Sequence, residues 1–315
     1  MSAITNNSTS FLYQSQLIKW DQVASVRTQP RRILLEEDYL NKVFWLPELA
    51  PISLHPLIIK KGLSSKILVH YLYLHLDFTI KLEQEAVNSV ANQIAQNKTG
   101  LAIPEEMRFD AYKIYCDEAY HALLYADFKR QVEASTGISN DFPNNPFFLH
   151  QLREIQYGFT KSLSQLIEVF FVIVSETLIS ATLKKIPKDN RVVSTVRQLV
   201  RDHALDEAYH CTYFSNLLQV VWPQLQHKHQ EIIGQLLPQF IRIFLVPDYP
   251  ALKLILSQFD FNPQEIQIII AESYPQTEVI NTIKNASKNT ITLLHCNRVL
   301  EEPKIAKAFY KSDVC

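Results

Sequence analysis

The chain has 315 residues, 47% of them hydrophobic and 20% charged, with a formal net charge of −1. That composition excludes a disordered chain, and the absence of a basic stripe argues against nucleic acid as a partner. With only 5 glycines, a fold that spends glycine on hairpins and bulges is disfavoured, and an all-α fold is expected.

Residues 1–60 read as an arm of short helices broken by Pro30, Pro47, Pro51 and Pro56. The N-terminal MSAITNNSTS lacks a basic start followed by an apolar run, so no signal peptide is expected. Arg27, Arg31 and Arg32 read as a solvated surface cluster. Four long helices follow, expected over Leu63–Asn97, Pro104–Ser135, Phe148–Ile186 and Arg191–Val221. Gly62, Gly100 and Gly137 stand where helices should stop, and Pro104 suits a first helical position. The segment from Gly137 to Pro146 reads as a loop. The most apolar stretch, Val169–Val174, is too short to span a bilayer, so no membrane partner is expected. Beyond Pro223 shorter helices are expected, one opening on the capping sequence Asn262-Pro263-Gln264-Glu265. A single domain is expected, with an arm (1–60), a four-helix core (61–222) and C-terminal helices packed on it (223–315). Cys116, Cys211, Cys296 and Cys315 show no pairing rhythm. A soluble protein of a reducing, cytoplasmic compartment is expected.

One pentapeptide occurs twice, Asp117-Glu118-Ala119-Tyr120-His121 and Asp206-Glu207-Ala208-Tyr209-His210. Each copy holds E-x-x-H, which presents a carboxylate and an imidazole from one helix face. Two copies, on the second and fourth helices, form the pattern of a dimetal bundle whose other two helices each supply a Glu. Reflecting Glu118 through the first loop points to Glu83, with Glu85 as near competitor. Reflecting Glu207 through the second loop points between Glu168 and Glu176, and geometry leaves that pair open. His203 lies four residues before Glu207, on the same face, whereas the matching position in the first copy is Ile114. Asp117 and Asp206 could each accept the spare ring N–H of a ligand histidine.

The resulting order, E…E-x-x-H…E…H-x-x-x-E-x-x-H over residues 60–220, resembles the p-aminobenzoate N-oxygenase family, arylamine N-oxygenases of the ferritin-like superfamily. The resemblance favours Glu83 and Glu176 and implies the ligand set Glu83, Glu118, His121, Glu176, His203, Glu207 and His210. It implies two iron ions, O2 as co-substrate, a homodimer, and oxidation of an amine towards hydroxylamine, nitroso or nitro. It also implies that the Asp–His bonds cross between helices. An external electron donor is expected, and a carrier-tethered, amino-acid-derived amine is an open alternative to a simple aryl amine. Near the first helix Phe78 and Thr79 have only Lys81 as a cation, which disfavours a plain aminobenzoate. Competing readings are a diiron hydroxylase or desaturase acting on C–H bonds, and a ferroxidase or iron-handling protein. A zinc hydrolase on His203, Glu207 and His210 would leave the first copy unexplained.

Tyr120, Tyr209, His70, His75, Phe170 and Phe171 are expected to pack rather than react, and Cys116 and Cys211 to be small buried residues. His150, His227, His229 and His295 carry no motif and receive no role.

Overall fold

The four long helices are set by apolar positions recurring at helical spacing, and each is stopped by a local signal. The computed structural model describes residues 13–140 and 146–314, apart from the side chains of 180–182. The N-terminal ten residues and part of the loop before Pro146 lie outside the described residues. The first long helix is α1 (Ser64–Leu82), which passes through a π-helical turn (Glu83–Val87) into α2 (Asn88–Ala95). The second is α3 (Glu105–Thr136), and Glu105 and Glu106 in its first turn suit the helix dipole. The third expected helix is two: α4 (Phe147–Tyr157) and α5 (Lys161–Thr182). Gly158 ends α4, and Thr160 caps α5 by accepting from the Leu163 N–H. The fourth is α6 (Ser194–Val221).

Gly62, Gly100 and Gly137 adopt φ of 67°, 74° and 66°, the left-handed conformation that a side chain would strain. Helices α1 and α2 pack on α3, and α5 packs on α6. Together they form the all-α, ferritin-like bundle. Among the described residues no strand occurs; one isolated bridge joins Val43 to Val192.

Beyond the bundle come α7 (His227–Leu245), α8 (Tyr249–Ser257), α9 (Pro263–Ser273), α10 (Gln276–Cys296) and α11 (Pro303–Lys311). Helix α9 opens on the expected capping box of Asn262 and Glu265. Helices α7 and α10 lie against α5, so α5 is surrounded. Phe170, Phe171 and Val172 are fully buried there. This corrects the expectation built on the short run Val169–Val174, because the apolar stretch extends along most of the helix. Its window Lys161–Ile179 has the length and mean hydropathy, 1.6, of a membrane span, but 72% of it is buried inside the protein. Its apolarity serves the core.

The arm is laid along α3 and α6. Tyr13 donates to Asp110, Lys113 to the Leu17 carbonyl, and Gln131 receives the Leu34 N–H. Arg31 pairs with Asp127 at 2.8 Å. Arg32 is not a solvated surface residue as expected: its Nε donates to Asp202 at 2.8 Å in a largely buried pair.

Candidate metal centre

Four segments of the bundle aim polar side chains at one point in an otherwise apolar interior. Glu83 opens the π-helical turn, Glu118 and His121 come from α3, and Glu176 comes from α5. His203, Glu207 and His210 come from α6. None of the seven is more than 2% exposed. They form two groups in which the candidate ligand atoms lie within 4.8 Å of one another: Glu83, His121, His203 and Glu207, and Glu118, Glu176, Glu207 and His210. Glu207 belongs to both. Neither competitor enters a group. Glu85 pairs with Lys81 at 2.9 Å and with Arg153. Glu168 is half-buried and hydrogen-bonds Ser89 and Gln93.

Every imidazole turns one nitrogen to the cluster and gives the other to a partner outside it. His121 Nδ1 is 3.4 Å from Glu118 Oε2, while its Nε2 is 2.9 Å from Asp206 Oδ2. His210 Nδ1 is 3.0 Å from Glu118 Oε1, while its Nε2 is 3.2 Å from Asp117 Oδ2. Each aspartate thus reaches the histidine of the other helix. His203 faces inward through Nε2, 3.0 Å from both Glu83 and Glu207, and its Nδ1 lies 2.6 Å from the Tyr125 hydroxyl. The arm closes the outer layer. Trp20 Nε1 donates to both oxygens of Asp117 at 2.9 and 2.8 Å, and the Ser25 N–H donates to Asp206 at 3.2 Å. A hydrogen bond on the outer nitrogen fixes tautomer and ring orientation, leaving the inner nitrogen its lone pair.

Burial dominates the electrostatics. It raises Glu83 to about 7 despite the pull of His203. Burial, then the charges of Glu207 and Glu118, raises Glu176 well above the usual carboxylate range. Burial pushes Glu207 up too, but His210 and His203 more than offset it and hold it well below that range. For His121, burial and His203 act downward, yet Asp206, Glu118 and Glu83 hold the imidazole at about 10.

Both oxygens of Glu83, Oε1 of Glu118, Oε2 of Glu176 and Oε2 of Glu207 are buried without an aligned hydrogen-bond donor. The 3.0 Å approaches of His203 to Glu83 and of His210 to Glu118 are close but not aligned as hydrogen bonds. Buried carboxylate oxygens are rarely left so. Five of them, facing three imidazole nitrogens, fit a pair of cations: hard oxygen donors and imidazoles suit iron, and two divalent ions balance four carboxylates.

The p-aminobenzoate N-oxygenase AurF family model matches residues 18–296. The chain belongs to that family. It is therefore an oxygenase, an oxidoreductase of a diiron-dependent AurF family, and its buried His and Glu groups could hold the metal. A search among curated proteins finds no match. The match spans the arm from residue 18 as well as the bundle, in keeping with the contacts of Trp20 and Ser25 to the two aspartates.

Sequence reasoning missed Tyr125, although it lies four residues after His121 and so on the same face of α3. Trp20, Ser25 and Arg32 carried no signal, because an irregular arm has no periodicity to align it. Cys116 is exposed and Cys211 half-exposed, not buried as expected, since both lie on the outward sides of their helices. Tyr120 donates to the Gln29 carbonyl at 2.9 Å, and Tyr209 is partly exposed beside Trp20, so both stand outside the cluster. His75 is half-buried, with its ring Nε2 enclosed, against Trp45 and Tyr125, and desolvation pushes it down to about 3.

Proposed function

We propose that Glu83, Glu118, His121, Glu176, His203, Glu207 and His210 would hold two iron ions, Glu207 belonging to both residue groups, and that the protein N-oxygenates a small amine. The observation that carries this reading is the set of five buried carboxylate oxygens without an aligned hydrogen-bond donor, beside three inward imidazole nitrogens at the centre of the bundle. When bound, the irons would supply the redox chemistry that O2 requires, taking electrons from an external donor.

The chain's own residues prepare the site. Asp206, Asp117 and Tyr125 each hold the outer nitrogen of one histidine, so all three rings are oriented before metal arrives. Ile114, fully buried, occupies the place where a fourth imidazole would stand. Leu82, Ala122 and Leu178 are buried within one or two turns of the ligands and keep bulk water out. Lys81, the cation of that helix nearest Glu83, is engaged by Glu85, and Lys66 stands at the helix's opposite end, so neither is placed to anchor a substrate carboxylate. An amine without that requirement, free or carried on a protein, fits better than a plain aminobenzoate. We place the protein in the cytoplasm as a single-domain homodimer.

Metal analysis combined with product analysis tests this. Purified protein reconstituted with Fe(II) should hold two irons per chain, and His203→Ala should hold fewer. With 18O2 and a panel of amines, products heavier by one or two labelled oxygens on nitrogen are expected. Oxygen on carbon would favour a hydroxylase. Iron oxidation indifferent to every amine would favour an iron-handling protein.

A further inference from the structure

The exposed positions of α3 carry no charge over four turns; the half-buried Lys113, paired with Asp110, lies over the Phe109 ring at 5.2 Å. Every exposed position from 109 to 123 is apolar, aromatic or sulfur-bearing: Phe109, Tyr112, Tyr115, Cys116, Ala119 and Leu123. Phe109 is 61% and Leu123 62% exposed, and Tyr112 is half-exposed. Five of these residues follow steps of three, four, three and four, the spacing by which one helix seats another at a shallow angle. The apolar surface continues onto the arm, where Val23 and Trp20 line one cleft with Tyr209 of α6, and Ile18 and Leu205 are also exposed. Eight such large side chains leaving on the order of 100 Å² each amount to roughly 800 Å², the area one partner contributes to a stable dimer. A monomer seldom leaves a patch of that size uncovered.

The ends of the stripe indicate what covers it. Glu105 stands exposed at its start and Arg130 at its end, both in phase with the stripe, with Glu106 and Glu133 exposed beside them. A helix with acid at one end and base at the other complements its own antiparallel copy. We propose that the α3 face is the two-fold interface of the homodimer, with α3 packed antiparallel on the α3 of a second copy of this chain. Seating the stripe on itself with a and d positions opposed sets the register. Tyr112 faces the partner's Leu123, Cys116 the partner's Ala119, Phe109 the partner's Ala126, and Arg130 the partner's Glu105. Tyr112 and Leu123 make the large apolar contact, Phe109 lies over a small side chain, and the small pair at the centre lets the helices approach.

The inference rests on the dimer reading above, and its test separates the two. Sedimentation equilibrium of the full chain should show a dimer at micromolar concentration. Leu123→Glu, which sets an unpaired carboxylate in the interface on both sides, should raise the dimer dissociation constant on the order of 100-fold. It should leave helicity and bound iron unchanged. The double variant Tyr112→Cys with Leu123→Cys should form a disulfide-linked dimer on mild oxidation, and neither single variant should match it. A wild-type monomer overturns both readings, the stripe then being covered by the chain's own first residues or by nothing. A dimer indifferent to Leu123→Glu overturns the α3 interface and leaves the dimer standing.

Discussion

Glu176→Leu should make the metal-free protein more stable while abolishing its full metal content. Glu176 is 1% exposed, its Oε2 has no hydrogen-bond partner, and burial with Glu207 and Glu118 raises its pKa. Without metal it is a buried carboxyl whose neutral form burial favours, with an unmet polar atom, a situation that costs about 1–3 kcal/mol. Leucine is similar in size and brings no polar atom, so the substitution should return about 2 kcal/mol. Unfolding entropy near 2.1 cal/mol/K per residue, over this chain length, gives about 0.7 kcal/mol/K, so the melting temperature should rise by about 3 °C. Calorimetry of chelator-treated protein measures the shift, and elemental analysis after reconstitution measures the iron. Phe170→Ala is the control for a residue whose role is packing: it should cost about 3–5 kcal/mol and leave metal binding in place. The reasoning is refuted if metal-free Glu176→Leu melts several degrees lower than wild type, or if it still takes up two irons.

Asp206→Asn and Asp117→Asn should each weaken metal binding about 10–100-fold, read by competition with a chelator, because each removes the carboxylate that holds a histidine of the other helix. Unchanged affinity in both would contradict the crossed arrangement. The melting temperature of metal-free protein should fall as pH rises from about 6 to 10. His121 is held at about 10, above its unfolded 6.5, so its contribution is complete below 6.5 and lost as pH climbs through 10. Glu83, raised by burial to about 7, acts in the same sense, and its contribution is lost as pH climbs from 4.5 through 7. A flat melting profile across that range would show that the cluster is not closed without metal. Gly234→Ala should destabilise the protein by about 1–3 kcal/mol in denaturant titration, since a Cβ there would come within 2.1 Å of Ile305 and push α11 off α7; full stability would mean that α11 repacks freely.

The second and fourth helices and five of the seven cluster residues follow from local features of the sequence: a repeated pentapeptide and a helical step to His203. Glu83 and Glu176 needed the family resemblance, because the first reflection left Glu85 as a near competitor and the second fell between Glu176 and Glu168. The structure shows why. The reflection assumes that both arms of a hairpin run as unbroken helices level with each other, and the 3-10 turn Ile186–Lys188 and the loop before Ser194 shift α6 relative to α5. The break at Gly158 was illegible for a different reason. Leu149 and Leu152 before it and Leu163 and Leu166 after it all read as core, and all are buried, so hydrophobic period alone joins α4 to α5. The contacts of Trp20, Ser25 and Arg32 depend on an irregular segment crossing from far in sequence, for which neither period nor motif gives a coordinate.

The duplication is also where the two halves part. Both copies supply a glutamate, a histidine and an aspartate, and the crossed aspartates tie the halves together symmetrically. The added groups do not. Glu83 and His203 go to one cluster and Glu176 to the other, so one cation position faces two carboxylates and two imidazoles while the second faces three carboxylates and one imidazole. Ile114, buried where the first copy could have carried its own extra histidine, keeps that difference. The π-helical turn contributes as well. Its extra residue widens the helix at Glu83 and turns Glu85 outward to Lys81 and Arg153, so this helix offers the cluster one carboxylate rather than two. The two groups therefore differ in donor set, one with more imidazole and the other with more hard carboxylate oxygen. Around a pentapeptide that is identical in both copies, that inequality comes from Ile114 standing opposite His203 and from the extra residue in the turn at Glu83.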